Sequence, residues 1–329
     1  MGEHANGTAR AAGSPRPNLG ITCSGNFFGF EVLTAVEELG YDAFYTGEHF
    51  VYDKAIQDAL PVLGAAAAGT RRIAIGSAAI LAPLYPPVLL AKATSTLDLL
   101  SGGRLVVGLG VGGEFPGEFA AFGVPLASRG ARTDETIDVV RALWTGKPVV
   151  HDGRFFRLDG QAIDPATTQP NGPPIWITGR SEAAMRRAAL RGDGYMPYLV
   201  SAASYASRGR FIRDTADGAG RTLPADFAWA VRLEMRIDDT DEQALRRTCT
   251  ALEWRFGKPF DAERAARNSV SGTPQRVLDG LLAYVDAGVD VFALQPVASS
   301  AEEMVDLLAR FAAEVMPELR TVGRQGRVK

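Results

Sequence analysis

The chain has 329 residues, 46% apolar and 22% charged, with 36 Gly, 19 Pro and a formal net charge of −3. That supplies one large core or two modest ones, and 35 basic against 38 acidic side chains leave no basic face for a nucleic-acid partner. Apolar runs such as Ala65–Ala68 and Leu105–Leu109 fall far short of the roughly 20 residues of a membrane span, so no membrane partner is expected, and the two cysteines, Cys23 and Cys249, make no disulfide framework and suit a cytoplasmic location.

Residues 1–17 are small, polar and Pro/Gly-rich, which predicts a disordered N-terminal arm. From Asn18 onward short apolar runs alternate with amphipathic stretches. Leu19–Thr22 reads as a strand, and Phe30–Leu39 as a helix with Phe30, Leu33, Val36 and Leu39 on one face, stopped by Gly40. Ala43–Thr46 is the next strand, Leu60–Ala68 a helix, and Ile73–Ile80 the third strand. Pro86–Leu100 is a helix with proline in its first turn, Leu105–Val111 a fourth strand, and Thr133–Trp144 a helix. Ile175–Thr178, Tyr195–Leu199, Ala228–Ile237 and Val289–Leu294 read as four more strands. The helices of this half are Glu182–Leu190, Ala203–Asp217, Asp241–Phe256, Pro274–Ala287 and Ala301–Val315. The junctions LG-YDAFYT, RG-DGYMPY and AG-VDVFAL share a glycine stop followed by an apolar run, as one repeated unit would.

Eight strands alternating with helices predict an α/β fold, a (β/α)8 barrel over residues 18–317, with a flexible tail over 318–329. The surplus over a typical barrel is placed in insertions at Lys147–Pro173 and Gly257–Gly272. The rival is an open doubly wound sheet, favoured by Gly108, Gly110 and Gly113, which spell GxGxxG after a strand. Against it, three strand–helix units precede these glycines, and Glu114-Phe115-Pro116-Gly117 interrupts any phosphate-facing helix.

In a barrel the chemistry sits where strands end. That selects Cys23, Ser24, Gly25 and Asn26 after the first strand and Gly47, Glu48 and His49 after the second. Ser77 follows on the third, Gly112, Gly113 and Glu114 on the fourth, and Gly179, Arg180 and Ser181 on the fifth. Met196, Pro197 and Tyr198 end the sixth strand and Gln295 the eighth. His49 is the one histidine of three at a strand end, a place for proton transfer, although a loop histidine bonded to backbone would look the same. Glu114 caps a glycine run through which a planar ligand can approach, or is merely an acid at a helix start. Gly179-Arg180-Ser181 offers a guanidinium and free N–H groups at a helix start, a seat for phosphate, or an ordinary cap. No HxH, HExxH or CxxC spacing for a metal and no GxSxG elbow occurs. What is left suits a phosphate-bearing redox cofactor.

The segments YDAFYTGEHF (41–50), PPVLL…FGVP (86–125), ARTDETIDVVRALWTG (131–146), PPIWI…MPYL (173–199) and GTPQR…FALQP (272–296) resemble, in order, those of the bacterial luciferase-like superfamily of flavin- and F420-dependent oxidoreductases. The resemblance implies a (β/α)8 barrel, often a homodimer, with reduced FMN or coenzyme F420 at the strand ends. By motif, His49 matches an acid/base beside the ring, and Glu114 an acid found in some F420-dependent members. Gly179, Arg180 and Ser181 match the phosphate loop. Ser77 and Ala78 match a bulged strand end that often carries a cis non-proline peptide, and Gly112, Gly113, Met196 and Pro197 fall in the cofactor region. Two departures stand out: Phe50 replaces the second histidine of the luciferases, and Val51 and Tyr52 occupy the stretch where sugar-phosphate dehydrogenases carry tryptophan.

The resemblance implies first a two-component monooxygenase, using reduced FMN from a separate flavin reductase and O2 on a small organic substrate. The alternative is an F420-dependent dehydrogenase or reductase transferring hydride at C5, whose polyanionic tail calls for basic groups such as Arg208 or Arg210. A non-catalytic flavin-binding barrel is the third reading.

Overall fold

Strands that are apolar on both faces need cover on both faces, and this chain provides it by closing eight of them into a ring. The structure, a computed structural model, describes residues 16–23 and 29–322. The strands are β1 (Asn18–Thr22), β2 (Ala43–Thr46), β3 (Ala74–Ser77), β4 (Leu105–Gly110), β5 (Ile175–Thr178), β6 (Gly194–Met196), β7 (Ala228–Ile237) and β8 (Val291–Pro296). Each pairs in parallel with the next, and β8 returns to β1 with Gly20 opposite Ala293. The seam between β6 and β7 holds two register pairs, Gly194 with Ala228 and Tyr195 with Trp229. This is the expected closed barrel, with its helices outside, and it overturns the open-sheet alternative.

The glycine triplet has another use than phosphate binding. A Cβ on Gly108 would come within 1.9 Å of the Ser77 carbonyl oxygen, and one on Gly110 within 2.9 Å of Thr178 Oγ1. Both glycines therefore let neighbouring strands approach. Inside the ring the side chains of β2 and β5 meet, with Tyr45 and Trp176 centroids 5.8 Å apart, so the lower barrel is filled. Gly20 and Gly76 leave the space that the Tyr45 ring occupies. A larger apolar layer lies between the strands and the helices, including Leu33, Ile75, Leu143 and Phe292. Arg104, 5% exposed, donates to the carbonyls of Ala67, Thr70, Ile73 and Ser101 just ahead of β4. It satisfies orphan acceptors where a helix ends and a strand begins.

Four boundaries differ from the sequence reading. The third strand does not run to Ile80: it stops at Ser77, a cis peptide joins Ala78 to Ala79, and Ile80–Leu81 resumes beside β4. The first insertion folds into an antiparallel hairpin, Val149–Asp152 with Arg157–Gln161. The Glu135 carboxylate anchors it by accepting from the Phe155 and Phe156 N–H groups and meeting His151 at 3.1 Å. The second insertion holds a helix, Ala262–Asn268, and a strand, Ser269–Gly272, that extends β7 outside the ring. Finally, the tail expected from 318 begins as helix, Met316–Val322, because Leu319 is fully buried against the barrel. The expected arm over 1–17 and the rest of the tail lie almost wholly outside the described residues. Among the described residues no helix is long and apolar enough to cross a membrane.

Candidate active site

The carboxyl ends of β2 to β7 surround a cavity of about 700 Å³. Eleven of the residues expected at the strand ends line it: Gly47, Glu48, His49, Ala78, Gly112, Glu114, Gly179, Arg180, Ser181, Met196 and Tyr198. Ser77, Gly113, Pro197, Cys23 and Gln295 do not. The Ser77 side chain is fully buried, donating to the Gly108 carbonyl and accepting from the Gly108 N–H, both at 2.9 Å. It is a strand clamp because β3 and β4 must lock just below the rim. Gly113 (φ +104) is closed off by Arg129, whose Nε lies 2.9 Å from where a Cβ would stand. Pro197 accepts the Arg232 N–H at 2.9 Å and so belongs to the wall between β6 and β7. Cys23 is buried outside the lining, and burial pushes its thiol up to about 12, far from reactive. Ser24, Gly25 and Asn26 lie outside the described residues.

His49 is held by a residue the sequence reading did not single out. After β4 the chain enters a short helix, Pro116–Ala121, with proline in the first turn, where its missing N–H costs nothing. Glu118 of that helix is fully buried. Its Oε2 lies 3.0 Å from His49 Nδ1, and its Oε1 accepts the Phe50 N–H at 2.7 Å. With Nδ1 engaged, Nε2 is the imidazole nitrogen left for chemistry. The ring is further confined by Phe115, edge-on at 4.9 Å, and by Tyr52 at 5.0 Å.

Glu48 stands beside it, 4% exposed, with Oε1 accepting the Leu81 N–H at 2.8 Å and Oε2 the Tyr85 hydroxyl at 2.9 Å. Burial pushes its carboxyl up to about 8, against the pull of those two hydrogen bonds. The folded state thus holds a proton that the unfolded chain releases near 4.5, and the contribution to stability falls as pH rises between those values. Unfolding in urea should show a midpoint that drops from pH 6 to pH 9, by on the order of a few kcal/mol in free energy. Glu48→Gln should flatten that slope; an unchanged slope would remove Glu48 as its source.

In the same lining Glu114 meets Arg180 at 3.4 Å and accepts the Tyr198 hydroxyl, while the Arg180 guanidinium lies 4.6 Å over the Tyr198 ring. Burial and the Glu114 charge push the Tyr198 hydroxyl up to about 12. Gly179 (φ +121) turns the chain into the helix Glu182–Arg191, and Ser181 caps it by accepting the Ala184 N–H at 3.2 Å. Arg208 reaches this turn from the helix Ala202–Gly218, donating to the Arg180 carbonyl at 2.5 Å and the Tyr195 hydroxyl at 3.2 Å. Arg210 is exposed and does not line the cavity. Arg129, Arg232 and Arg255 complete five arginines among the described lining residues.

A family model described as luciferase-like monooxygenase matches residues 30–291. The chain belongs to the luciferase-like family. Within it, this luciferase-like chain is 27% identical to an F420-dependent glucose-6-phosphate dehydrogenase of Nakamurella multipartita over 348 residues, covering 95% of this chain and 99% of the relative. The crystal structure of monooxygenase RslO1 from Streptomyces bottropensis superposes with a TM-score of 0.75 at 26% identity, over 92% of this chain and 99% of that one. An F420-dependent secondary alcohol dehydrogenase in complex with an F420-acetone adduct superposes with a TM-score of 0.80 at 20% identity, over 93% and 99%, and bears on the fold alone. The luciferase-like chain is thus an oxidoreductase of the family, and its relatives include both dehydrogenases and monooxygenases.

Proposed function

We propose that the chain is an F420-dependent dehydrogenase or reductase, rather than the monooxygenase its sequence first suggests. The observation that carries this reading is uncompensated positive charge around the helix start after β5. Arg208 donates only to neutral groups, and Arg129 only to the Leu126 carbonyl. The N–H groups opening the helix Glu182–Arg191 add partial positive charge. FMN carries a single phosphate, whereas the F420 tail carries several anionic groups and calls for more than one free guanidinium. The full-length relative named as F420-dependent supports the same choice.

The donors at Gly179, Arg180, Ser181 and Arg208 would hold the tail, and the lining at Ala78, Ala79, Gly110 and Gly112 would take the planar ring. When bound, the deazaflavin supplies a carbon, C5, that takes up or returns a hydride. His49 Nε2 receives the hydroxyl proton of an alcohol as its carbinol carbon loses hydride, giving a ketone or aldehyde; the reverse reaction returns that proton. Glu114 and the Tyr198 hydroxyl it accepts form a second hydrogen-bonded pair in the lining. A cytoplasmic setting belongs to this reading, as does a homodimer, for which exposed Leu89, Leu99 and Leu100 on the helix Pro87–Ser101 provide an apolar face.

Titration with F420, FMN and reduced FMN in separate experiments decides the cofactor. Tight F420 binding without oxygen uptake is expected; tight binding of reduced FMN with oxygen uptake would return the monooxygenase and its reductase. Arg180→Ala should weaken F420 binding by roughly 1.5–3 kcal/mol, the worth of a charge-assisted hydrogen bond. An unchanged dissociation constant would reject that role.

A further inference from the structure

The cavity is chemically two-sided, and its second side identifies a substrate class. Around His49 the lining is aromatic and aliphatic. Tyr52 and Phe115 meet at 4.5 Å, and Ile56, Leu199, Trp254 and Phe256 continue the wall. The Tyr52 hydroxyl donates to the Arg255 carbonyl at 2.6 Å, tying the loop after β2 to the end of the helix Asp241–Phe256. Trp254 lines the cavity yet is 55% exposed, an unusual placement for a large indole on a folded surface.

Charge follows the same division. On this side Lys54 and Arg255 each already have a carboxylate. Lys54 Nζ sits 2.9 Å from Asp53 and lies over the Tyr52 and Trp254 rings at 5.2 and 5.5 Å. The Arg255 guanidinium is paired with buried Glu234, and half-buried Arg232 donates to Gln295 Oε1 at 3.0 Å. A phosphate dianion seated against Lys54 or Arg255 would have to break an existing ion pair and lose its water against aromatic faces. The unmatched guanidiniums, Arg129 and Arg208, lie on the cofactor side.

We propose that the chamber beside His49 takes a neutral aryl alcohol or aryl ketone, and that Tyr52, Phe115 and Trp254 select it over a phosphorylated sugar. The proposal rests on the hydride-transfer reading for its chemistry, but not for its binding, which the aromatic wall alone predicts. In the forward reaction the carbinol carbon is oxidised, hydride passes to F420, and the hydroxyl proton passes to His49 Nε2. The sugar phosphate named for the Nakamurella relative would be a poor ligand here.

The experiment uses the full chain, with and without F420, and calorimetry with acetophenone and with glucose 6-phosphate as probes. Acetophenone should bind the cofactor-free chain, and Tyr52→Ala and Trp254→Ala should each weaken it about tenfold. Both variants should leave the F420 dissociation constant within about twofold. With F420 bound, 1-phenylethanol should be oxidised with kcat/KM at least about 100-fold above that for glucose 6-phosphate. Tighter binding of glucose 6-phosphate than of acetophenone, or acetophenone binding indifferent to both substitutions, would overturn the proposal whether or not F420 binds. Acetophenone binding that depends on the two aromatics, in a chain that ignores F420, would support the chamber and sink the cofactor reading instead.

Discussion

His49→Ala is expected to lower kcat by about 10²–10⁴-fold, the range in which a positioned acid/base contributes to proton transfer. The imidazole is the only histidine lining the cavity among the described residues, and its Nδ1 is already committed to Glu118. Nothing on the cofactor side depends on it, since Arg180, Ser181 and Arg208 are organised by β5, β6 and the helices that follow them. F420 affinity should therefore stay within about twofold and the circular dichroism spectrum should not change. The measurement is steady-state turnover of whichever substrate the parent chain is found to convert, beside a fluorescence titration with F420. Turnover within about threefold of the parent would take His49 out of the reaction.

Glu118→Gln should cost nearly as much, through a different cause. The glutamine carbonyl can still accept the Phe50 N–H, but its amide then presents a donor to His49 Nδ1 where a carboxylate oxygen stood. That arrangement puts the imidazole proton on Nε2, the nitrogen that must accept the substrate proton. The expected result is a fall in kcat of about 10–10³-fold with KM within about threefold. Because Glu118 acts only through His49, the double variant should be no slower than His49→Ala alone. Additive losses would mean that Glu118 has a separate role, and an unchanged kcat would reduce it to a helix anchor.

Which parts of this molecule were legible beforehand follows from how local each signal is. The eight strands announce themselves because a strand covered on both faces must be apolar throughout, as in Ala43–Thr46 and Leu105–Gly110. His49 stands out for being a histidine at a strand end. Glu118 is invisible by the same logic: Pro116 and Gly117 break the helical period around it, and its partner is 69 residues away. Ser77 and Pro197 look like ligand-facing positions because they follow strands, yet hydrogen bonds to neighbouring strands consume them. The aromatic wall is equally hidden, since Tyr52 and Trp254 are brought together only by closure of the ring. The resemblance points to a cis link at the strand end Ser77–Ala78; it falls one residue on, at Ala78–Ala79, with no local signal to announce it.

The contact between Gly108 and the Ser77 carbonyl sets a practical limit on remodelling this catalyst. With 1.9 Å available to a Cβ, position 108 accepts no other amino acid without prising β3 from β4. The loop carrying Tyr52 and Ile56 and the helix end carrying Trp254 and Phe256 bear no such constraint, for they meet the scaffold from outside the ring. Directed evolution toward new substrates therefore has a natural division of labour: randomise the outer aromatic collar freely, and keep the inner glycine seam untouched.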